Sequence, residues 1–337
     1  MTDLLVLDDP LLTTRRSPLV STNISWTDFV CNSAGGCSKV NKDCKGCWAE
    51  AFAERLAMMG NDVLAPVVSG GRWSRRSTGT AKLGALWGLM RRRAAARVFV
   101  CSMTDLFWSA HPDVVRYATL GAIAIAHPNV ISQTLTKRPA EFWSFLERWL
   151  GADPVVSVWM ALDEFFDVSH WKDAEERAKR LEVFVEGLKE RRLPANWHFG
   201  VSVGHPEAAA EFLPLLKPLQ GTRWVSAEPL IEPWNVLDYP DHFDWIVLGG
   251  ESGGGARDCD VRGLVRMGAQ ARHLGAAVHI KQLGTNPVDG DEPIKLRHSH
   301  GGRIDEWPVW VPRWRDPAEM RPASADLGCG HPARGEG

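Results

Sequence analysis

The 337-residue chain has little net charge, no long apolar run and no segment of the secretory-signal kind at its start. Its formal net charge is −2, so no global field draws it to nucleic acid or to an anionic membrane surface. No stretch approaches the ~18 uninterrupted apolar residues that a membrane-spanning helix needs. Residues 1–10 contain Asp3, Asp8 and Asp9 instead of a basic start and an apolar segment. These absences predict a cytoplasmic protein with no membrane partner.

Cysteine is also scarce, but its few occurrences are clustered. Four of the seven cysteines lie between Cys31 and Cys47, in a glycine-punctuated segment with the spacing Cys37-x6-Cys44-x2-Cys47. Cytoplasmic proteins rarely keep disulfides, so this cluster indicates a metal site.

Three thiolates can hold three irons of a [4Fe–4S] cluster and leave the fourth iron open to a small molecule. A structural zinc site or a ferredoxin cluster uses four protein ligands instead. Zinc sites usually contain two close cysteine pairs, and only Cys44-x2-Cys47 is such a pair. We therefore predict an iron–sulfur cluster on Cys37, Cys44 and Cys47. A four-cysteine metal site that includes Cys31, and unligated thiols, are the alternatives.

Short apolar, β-branched runs alternate with helix-like segments along most of the chain. The strand-like runs are residues 97–103, 130–136, 197–203, 223–227, 245–250 and 277–281. The run 155–160 is either a further strand or part of an insertion. One helix-like segment has an apolar face made of Trp48, Ala51, Phe52, Leu56 and Met59.

This alternation predicts an α/β fold with a partial or complete (β/α) barrel, because continuous apolar runs suit parallel strands that are covered on both faces. We place the barrel at residues 21–285, with an insertion around 151–194. An N-terminal extension would occupy 1–20 and a C-terminal extension 286–337, mobile from residue 316. The carboxyl ends of barrel strands converge on one mouth, where active sites are built. The strand-like runs end in hydroxyls, carboxylates and lysines, which would ring this mouth.

Several motifs resemble, in order and spacing, those of one known family. They are Gly36-Cys37…Cys44-x2-Cys47, Met103-Thr104-Asp105, Thr136-Lys137-Arg138-Pro139, Gly200-Val201-Ser202-Val203, Glu228-Pro229-Leu230, Gly249-Gly250-Glu251-Ser252-Gly253 and Lys281-Gln282. The set resembles a phage-associated three-cysteine-motif family of largely uncharacterised proteins, which is itself similar to radical S-adenosylmethionine (radical SAM) enzymes. The chain departs from that pattern at Cys31, where the family commonly has tryptophan, and at Gly204, where it often has an acidic residue.

The resemblance implies a barrel of the radical SAM type with a [4Fe–4S] cluster and S-adenosylmethionine at its mouth. A one-electron donor such as a flavodoxin or ferredoxin would reduce the cluster, and reductive cleavage of S-adenosylmethionine would lead to hydrogen abstraction from a substrate. The gene would belong to a phage or prophage in a bacterial host cell. The expected roles are metal binding by Cys37, Cys44 and Cys47, cofactor binding by Ser102, Asp105, Ser202 and Glu228, and catalysis by Glu251 and Lys281. Asp105 is the candidate for the methionine ammonium, because a carboxylate pairs with a cation in a dry pocket.

A basic, aromatic-containing segment indicates the substrate. Arg72, Arg75 and Arg76 could hold phosphates, while Trp73 stacks on a base, so a nucleotide or nucleic-acid base is the expected substrate class. Lys137 and Arg138 would contact the substrate at the mouth. The alternative for the arginines is a solvated face. The alternative for the whole protein is a non-catalytic metal-binding adaptor, with zinc or an iron–sulfur cluster, that acts with a partner enzyme.

Overall fold

Eight strands form one sheet that curls into a half-barrel. The computed structural model describes residues 19–79, 83–166 and 168–315. Seven strands of the sheet run parallel, and a short antiparallel strand forms one edge. In spatial order the strands are β1 (Val20–Ser21), β2 (Phe29–Cys31), β5 (Ala96–Val100), β6 (Val130–Thr136), β7 (Trp197–Ser202), β8 (Arg223–Ala227), β9 (Trp245–Gly249) and β11 (Ala277–Gln282). The predicted α/β class with a partial barrel is therefore confirmed at this level.

The six strand-like runs of the sequence coincide with β5, β6, β7, β8, β9 and β11. Helices connect these strands and cover the outer face of the sheet. They are α2 (Leu83–Arg91), α3 (Asp113–Ile125), α4 (Pro139–Leu150), α5 (Pro154–Phe166), α6 (Ala174–Lys189), α7 (Pro206–Leu216) and α8 (Val261–His273). Burial on both faces explains why the strands read as continuous apolar runs.

Alternate residues of the strands build two separate cores. Val98 of β5 packs into the main core with the helices, whereas its neighbour Phe99 lies in a second cluster with Trp26, Trp224 and Trp245. The rings of Trp224 and Trp245 are parallel, with centroids 4.4 Å apart, and Trp26 lies 5.0 Å from Trp224. Trp224 and Trp245 lie near the amino ends of β8 and β9, whereas Phe99 lies near the carboxyl end of β5, so this tryptophan cluster fills part of the inner face of the half-barrel.

Three helices instead of one connect β6 to β7. The run 155–160 belongs to α5, which packs on α3. Gly121 of α3 allows this approach, since a Cβ there would lie 2.5 Å from Val158 Cγ1. The two additional helices, α5 and α6, thus fall within the region that the sequence marks as an insertion.

Helix α1 (Trp48–Met58) follows the cysteines directly, but it buries a different face from the one that its apolar stripe indicates. Ala49, Glu50 and Ala53 are buried beside the hairpin of β3 (Val68–Ser69) and β4 (Arg72–Trp73), whereas Trp48 and Phe52 are exposed. Small alanine side chains let the hairpin approach closely, and the buried Glu50 carboxylate accepts a hydrogen bond from the β4 backbone at 2.8 Å. Most of the apolar stripe is therefore exposed, whereas Leu56 is half-buried against the cluster that contains Ala49 and Ala53.

The chain beyond β11 packs back on the sheet. β12 (Asn286–Asp289) pairs with β10 (Asp258–Asp260) and with β13 (Glu292–Pro293). The Ile280 N–H donates to the Trp314 carbonyl at 2.8 Å. Residues 1–18 of the predicted N-terminal extension and the predicted mobile tail from 316 lie outside the described residues. Across the helices that the structure describes, none has the length and apolar character needed to cross a membrane.

Candidate functional site

The carboxyl ends of the parallel strands meet at one edge of the half-barrel, the mouth. Residues 32–47, the cysteine loop, leave β2 at this edge and continue into α1. Residues that follow β5, β6, β7 and β9 each contact the loop. The loop therefore crosses the mouth and is fixed at several points along its length.

Thr104, which follows β5, holds the first turn of the cysteine loop. Its hydroxyl donates to the carbonyl of Gly36 and lies 2.9 Å from His111 Nε2. His111 Nδ1 lies 2.7 Å from the Ser77 hydroxyl, and burial lowers the pKa of His111 to about 4, so the ring is neutral near pH 7. Gly36 has a φ of +89°, and a Cβ there would lie 2.0 Å from the Arg76 carbonyl. Only glycine therefore fits this turn.

Arg138, which follows β6, binds the loop next to the first cysteine. Its guanidinium donates to the carbonyl and the hydroxyl of Ser38 at 2.9 and 2.7 Å, and it also pairs with Glu141. The sequence assigned Arg138 to the substrate. In the structure these contacts of Arg138 anchor the cysteine loop, and its contact with a substrate stays a prediction.

Asp105 is a buried carboxylate close to Cys37. It accepts hydrogen bonds from the Thr136 hydroxyl at 2.8 Å, from the Lys137 N–H at 2.8 Å and from the Phe107 N–H at 3.1 Å. Burial raises the pKa of Asp105 despite these bonds. Because donors of its own chain already surround it, Asp105 ties the end of β5 to the end of β6. The expected contact with a methionine ammonium is not favoured by this arrangement.

Asp43, in the middle of the loop, docks on the end of β7. Its carboxylate accepts from the Gly204 N–H at 3.0 Å and lies 3.5 Å from His205 Nε2. A Cβ at Gly204 would lie 2.6 Å from Asp43 Oδ1 and 2.3 Å from the Pro229 carbonyl. The Asp43 carboxylate thus lies at the end of β7, where the chain itself has Gly204 in place of an acidic residue.

Glu251, which follows β9, is paired with Arg257. Two guanidinium nitrogens of Arg257 donate to the two carboxylate oxygens at 2.8 and 2.7 Å, and a third donates to the Lys42 carbonyl in the loop at 2.8 Å. A Cβ at Gly46 would lie 2.4 Å from Glu251 Oε1, so the loop touches this carboxylate directly. Burial raises the pKa of Glu251, but the bonds from Arg257 outweigh burial and hold the pKa below its usual range. A carboxylate that stays ionised in this way positions the loop, and the catalytic role expected for Glu251 from the sequence stays a prediction.

The thiols of the cysteine loop are free and lie at the mouth. Cys37, Cys44 and Cys47 are partly exposed, whereas Cys31 is buried in β2. Burial, reinforced by the Asp105 carboxylate, raises the pKa of Cys37 to about 12. Within the described ranges no group of three or more His, Cys, Asp or Glu is arranged to hold a metal ion. Three thiols on one fixed loop at the mouth are the right residues, in the right place, for a three-thiolate cluster. To bind it, the thiols would have to lose their protons and the three Sγ atoms would have to move closer together.

Glu228 and Lys281 form an ion pair at the mouth. Lys281 lies in a β-bulge where β11 shifts register against β9, and its ammonium contacts the Glu228 carboxylate. Bulges next to active sites re-aim side chains. Both side chains are partly exposed, that of Lys281 at 24% and that of Glu228 at 17%. The structure thus brings an expected catalytic residue and an expected cofactor residue into one charged pair.

The two serines expected to bind cofactor have different surroundings. The Ser102 hydroxyl donates to the Asn32 side chain at 3.0 Å, which fixes the start of the loop. Ser202 is buried beside Ser226 of the neighbouring strand, and its hydroxyl has no hydrogen-bond partner among the described residues. Because an unpaired buried hydroxyl is unfavourable, Ser202 is the better candidate for contact with a ligand inside the half-barrel.

The residues expected to bind phosphate are divided by the fold. Arg72, Arg75 and Arg76 are exposed beside the loop, and Lys137 is partly buried at the end of β6. Trp73 is only 8% exposed and packs under α1. The prediction that Trp73 stacks on a base is therefore wrong for this structure, because its ring is part of a core.

Residues 21–308 match the DUF5131 family, which is described as a protein of unknown function. The chain belongs to the DUF5131 family. No curated protein and no solved structure shows a significant match. The matched range covers the whole half-barrel and also β12 and β13, so the DUF5131 region extends past residue 285, where the sequence placed the end of the barrel domain.

Asp43 of the cysteine loop, and the two residues His205 and Arg257 that contact the loop, were not singled out from the sequence of this DUF5131 protein. Asp43 lies between two of the cysteines, and Arg257 follows the glycine-rich segment after β9. Their positions beside recognised motifs are a signal that could have identified them. Nothing local indicates their partners, which lie 161 residues away for Asp43 and 215 residues away for Arg257.

Replacing Gly204 with alanine should lower the stability of this DUF5131 protein by about 1–3 kcal/mol, because the new methyl group overlaps backbone and the Asp43 carboxylate. Urea denaturation measures the change. Gly254→Ala is the matched control, since a Cβ there meets no atom within 4 Å. Equal denaturation midpoints for the two variants would show that Asp43 does not dock as described.

Proposed function

We propose that this protein is a radical SAM enzyme whose cluster is held by Cys37, Cys44 and Cys47. One observation carries the proposal. The cysteine loop follows β2, the first parallel strand of a half-barrel, and residues after β5, β6, β7 and β9 fix it across the mouth. A structural metal module does not need such a set of strand-end contacts, whereas a centre that must face a substrate in a barrel does.

Cys37, Cys44 and Cys47 would hold a [4Fe–4S] cluster, which, once an external one-electron donor has reduced it, would supply the electron for the reductive cleavage of S-adenosylmethionine to methionine and a 5′-deoxyadenosyl radical. The chain supplies position and exclusion of water. Thr104, Arg138, Asp43 and Arg257 hold the loop that carries the thiols. The tryptophan cluster fills part of the interior of the half-barrel, and ligands would enter from the mouth.

Ser202 and the Glu228–Lys281 pair are the residues that we assign to ligand binding. Ser202 has an unused hydroxyl on the inner face, and the ion pair can exchange its internal contact for the charged groups of a ligand. We keep a nucleotide or nucleic-acid base as the proposed substrate class, with the exposed Arg72, Arg75 and Arg76 as phosphate contacts.

The proposal predicts slow release of 5′-deoxyadenosine from S-adenosylmethionine in the presence of dithionite and strict anaerobiosis, even without substrate. Liquid chromatography with isotopically labelled S-adenosylmethionine measures this product. Cys44→Ala should abolish the release because one thiolate ligand is lost, whereas Cys259→Ala should retain it, since Cys259 is buried outside the cysteine loop. Iron-loaded protein that yields no deoxyadenosine would overturn the assignment.

A further inference from the structure

Helix α1 presents an apolar surface that no described residue covers. Trp48, Phe52, Met58 and Met59, here the α1 surface, have exposed fractions between 38% and 79%. The rings of Trp48 and Phe52 lie 6.3 Å apart, and Val63 is exposed nearby in the chain. A cluster of large exposed apolar side chains, as opposed to scattered single ones, marks a surface that meets a partner. The helix begins directly after Cys47, so the Trp48 end of this surface adjoins the cysteine loop.

The surroundings of the α1 surface are basic. Lys45 and Arg55 are exposed at the surface, and Arg72 is exposed on β4, which packs on α1. From Cys37 to Arg76 the chain has seven lysines and arginines and four carboxylates, although the whole protein has a net charge of −2. Two of those four carboxylates, Asp43 and Glu50, are buried. Lys39 pairs with Glu50, and Lys42 pairs with Glu207 and Glu232. The other charged residues of this segment are five cations, Lys45, Arg55, Arg72, Arg75 and Arg76, and two carboxylates, Glu54 and Asp62. This excess of positive charge attracts an acidic partner and repels a second copy of the same surface.

The apolar groups favour a protein partner over nucleic acid. The rings of Trp48 and Phe52 suit either a base or a protein side chain, but Met58 and Met59 provide no flat ring and are flexible, polarisable side chains that adapt to a protein surface. An apolar centre with cations around it is also the usual composition of a protein interface, with its apolar core and polar rim.

We infer that the α1 surface is the docking site of an acidic one-electron donor protein of the flavodoxin or ferredoxin class. This inference rests on the proposed function, because only a redox centre at the cysteine loop needs such a donor. On docking, a flavin hydroquinone loses one electron and becomes a semiquinone, and the centre held by the loop gains that electron. A donor that binds to Trp48, Phe52 and the adjoining cations would lie on the side of the protein that is nearest to Cys47.

Binding is tested with purified flavodoxin and, separately, with ferredoxin, by calorimetric titration of the whole iron-loaded protein. Met59→Ser and Arg55→Glu should each weaken binding of the acidic donor about tenfold, and the parent affinity should fall as salt rises. The matched controls are Met160→Ser on α5 and Lys179→Glu on α6, which are also exposed and lie on other helices. These controls should bind as the parent does.

The activity test separates this inference from the proposed function. Deoxyadenosine release driven by flavodoxin should fall in the two α1 variants in proportion to binding, while release driven by dithionite stays unchanged because a small reductant needs no docking site. Absence of release with dithionite would overturn the proposed function. Normal release with dithionite together with parent-like flavodoxin binding by both variants would overturn the docking site alone. Loss of DNA binding without loss of flavodoxin binding, or a dimer that the variants dissociate, would assign the surface to nucleic acid or to a second copy.

Discussion

Replacing Cys37, Cys44 or Cys47 with alanine should reduce the iron content of anaerobically reconstituted protein from about four atoms per chain to near zero. Each variant removes one of three thiolates, and two thiolates on a loop do not retain such a cluster. Iron and sulfide analysis, together with the visible spectrum, measures the loss. The expected effect is the largest of any substitution considered for this protein.

Cys31→Ala is the matched control for these variants. Cys31 is fully buried in β2, whereas Cys37, Cys44 and Cys47 are partly exposed at the mouth, so a cluster on the loop cannot reach its thiol without a rearrangement of the strand. We expect the Cys31 variant to keep its iron, with a modest loss of stability from the missing sulfur atom. Binding of one zinc per chain, with all four cysteines required, would contradict the cluster and favour the metal-binding adaptor.

Replacing Arg257 with methionine should lower the free energy of unfolding by up to about 3 kcal/mol, because it leaves the buried Glu251 carboxylate unpaired. It also removes the hydrogen bond from the guanidinium to the loop carbonyl of Lys42. We therefore expect both a lower denaturant midpoint and faster loss of iron to a chelator. Arg262→Met is the matched control, since Arg262 is an exposed arginine that also pairs with a carboxylate, Asp289.

The pH dependence of the Arg257 variant gives an independent check. In the parent the pKa of Glu251 is lowered from 4.5, so the ion pair contributes stability above about pH 4.5 and loses it as the pH falls through the folded-state pKa. The difference in stability between parent and variant should therefore be largest near pH 7 and should shrink below pH 4.5. A difference that does not depend on pH would show that Arg257 stabilises the protein by packing and not through the charge of Glu251.

The sequence by itself determined the class of the fold and the place of the mouth. The runs that form β5, β6, β7, β8, β9 and β11 are short, apolar and β-branched. This pattern reflects the burial of each strand, so it can be recognised from a short window of the sequence. Parallel strands place all their carboxyl ends at one edge, so the polar residues after them had to meet. The spacing of Cys37, Cys44 and Cys47 predicts a metal site, and this stays a prediction.

Only the tertiary structure decided which polar residues at the mouth hold the loop and which remain for a ligand. Asp105, Arg138 and Glu251 resemble ligand contacts in sequence, but each is engaged with its own chain because a partner lies within reach only after folding. The exposed face of α1 could not be predicted from the sequence either. Hydrophobic periodicity predicts an inward stripe of Trp48 and Phe52, whereas close packing against the β3–β4 hairpin selected the alanine side of the helix. A local pattern reports the apolar character of a helix face, and the shape of the neighbouring element decides which face is buried.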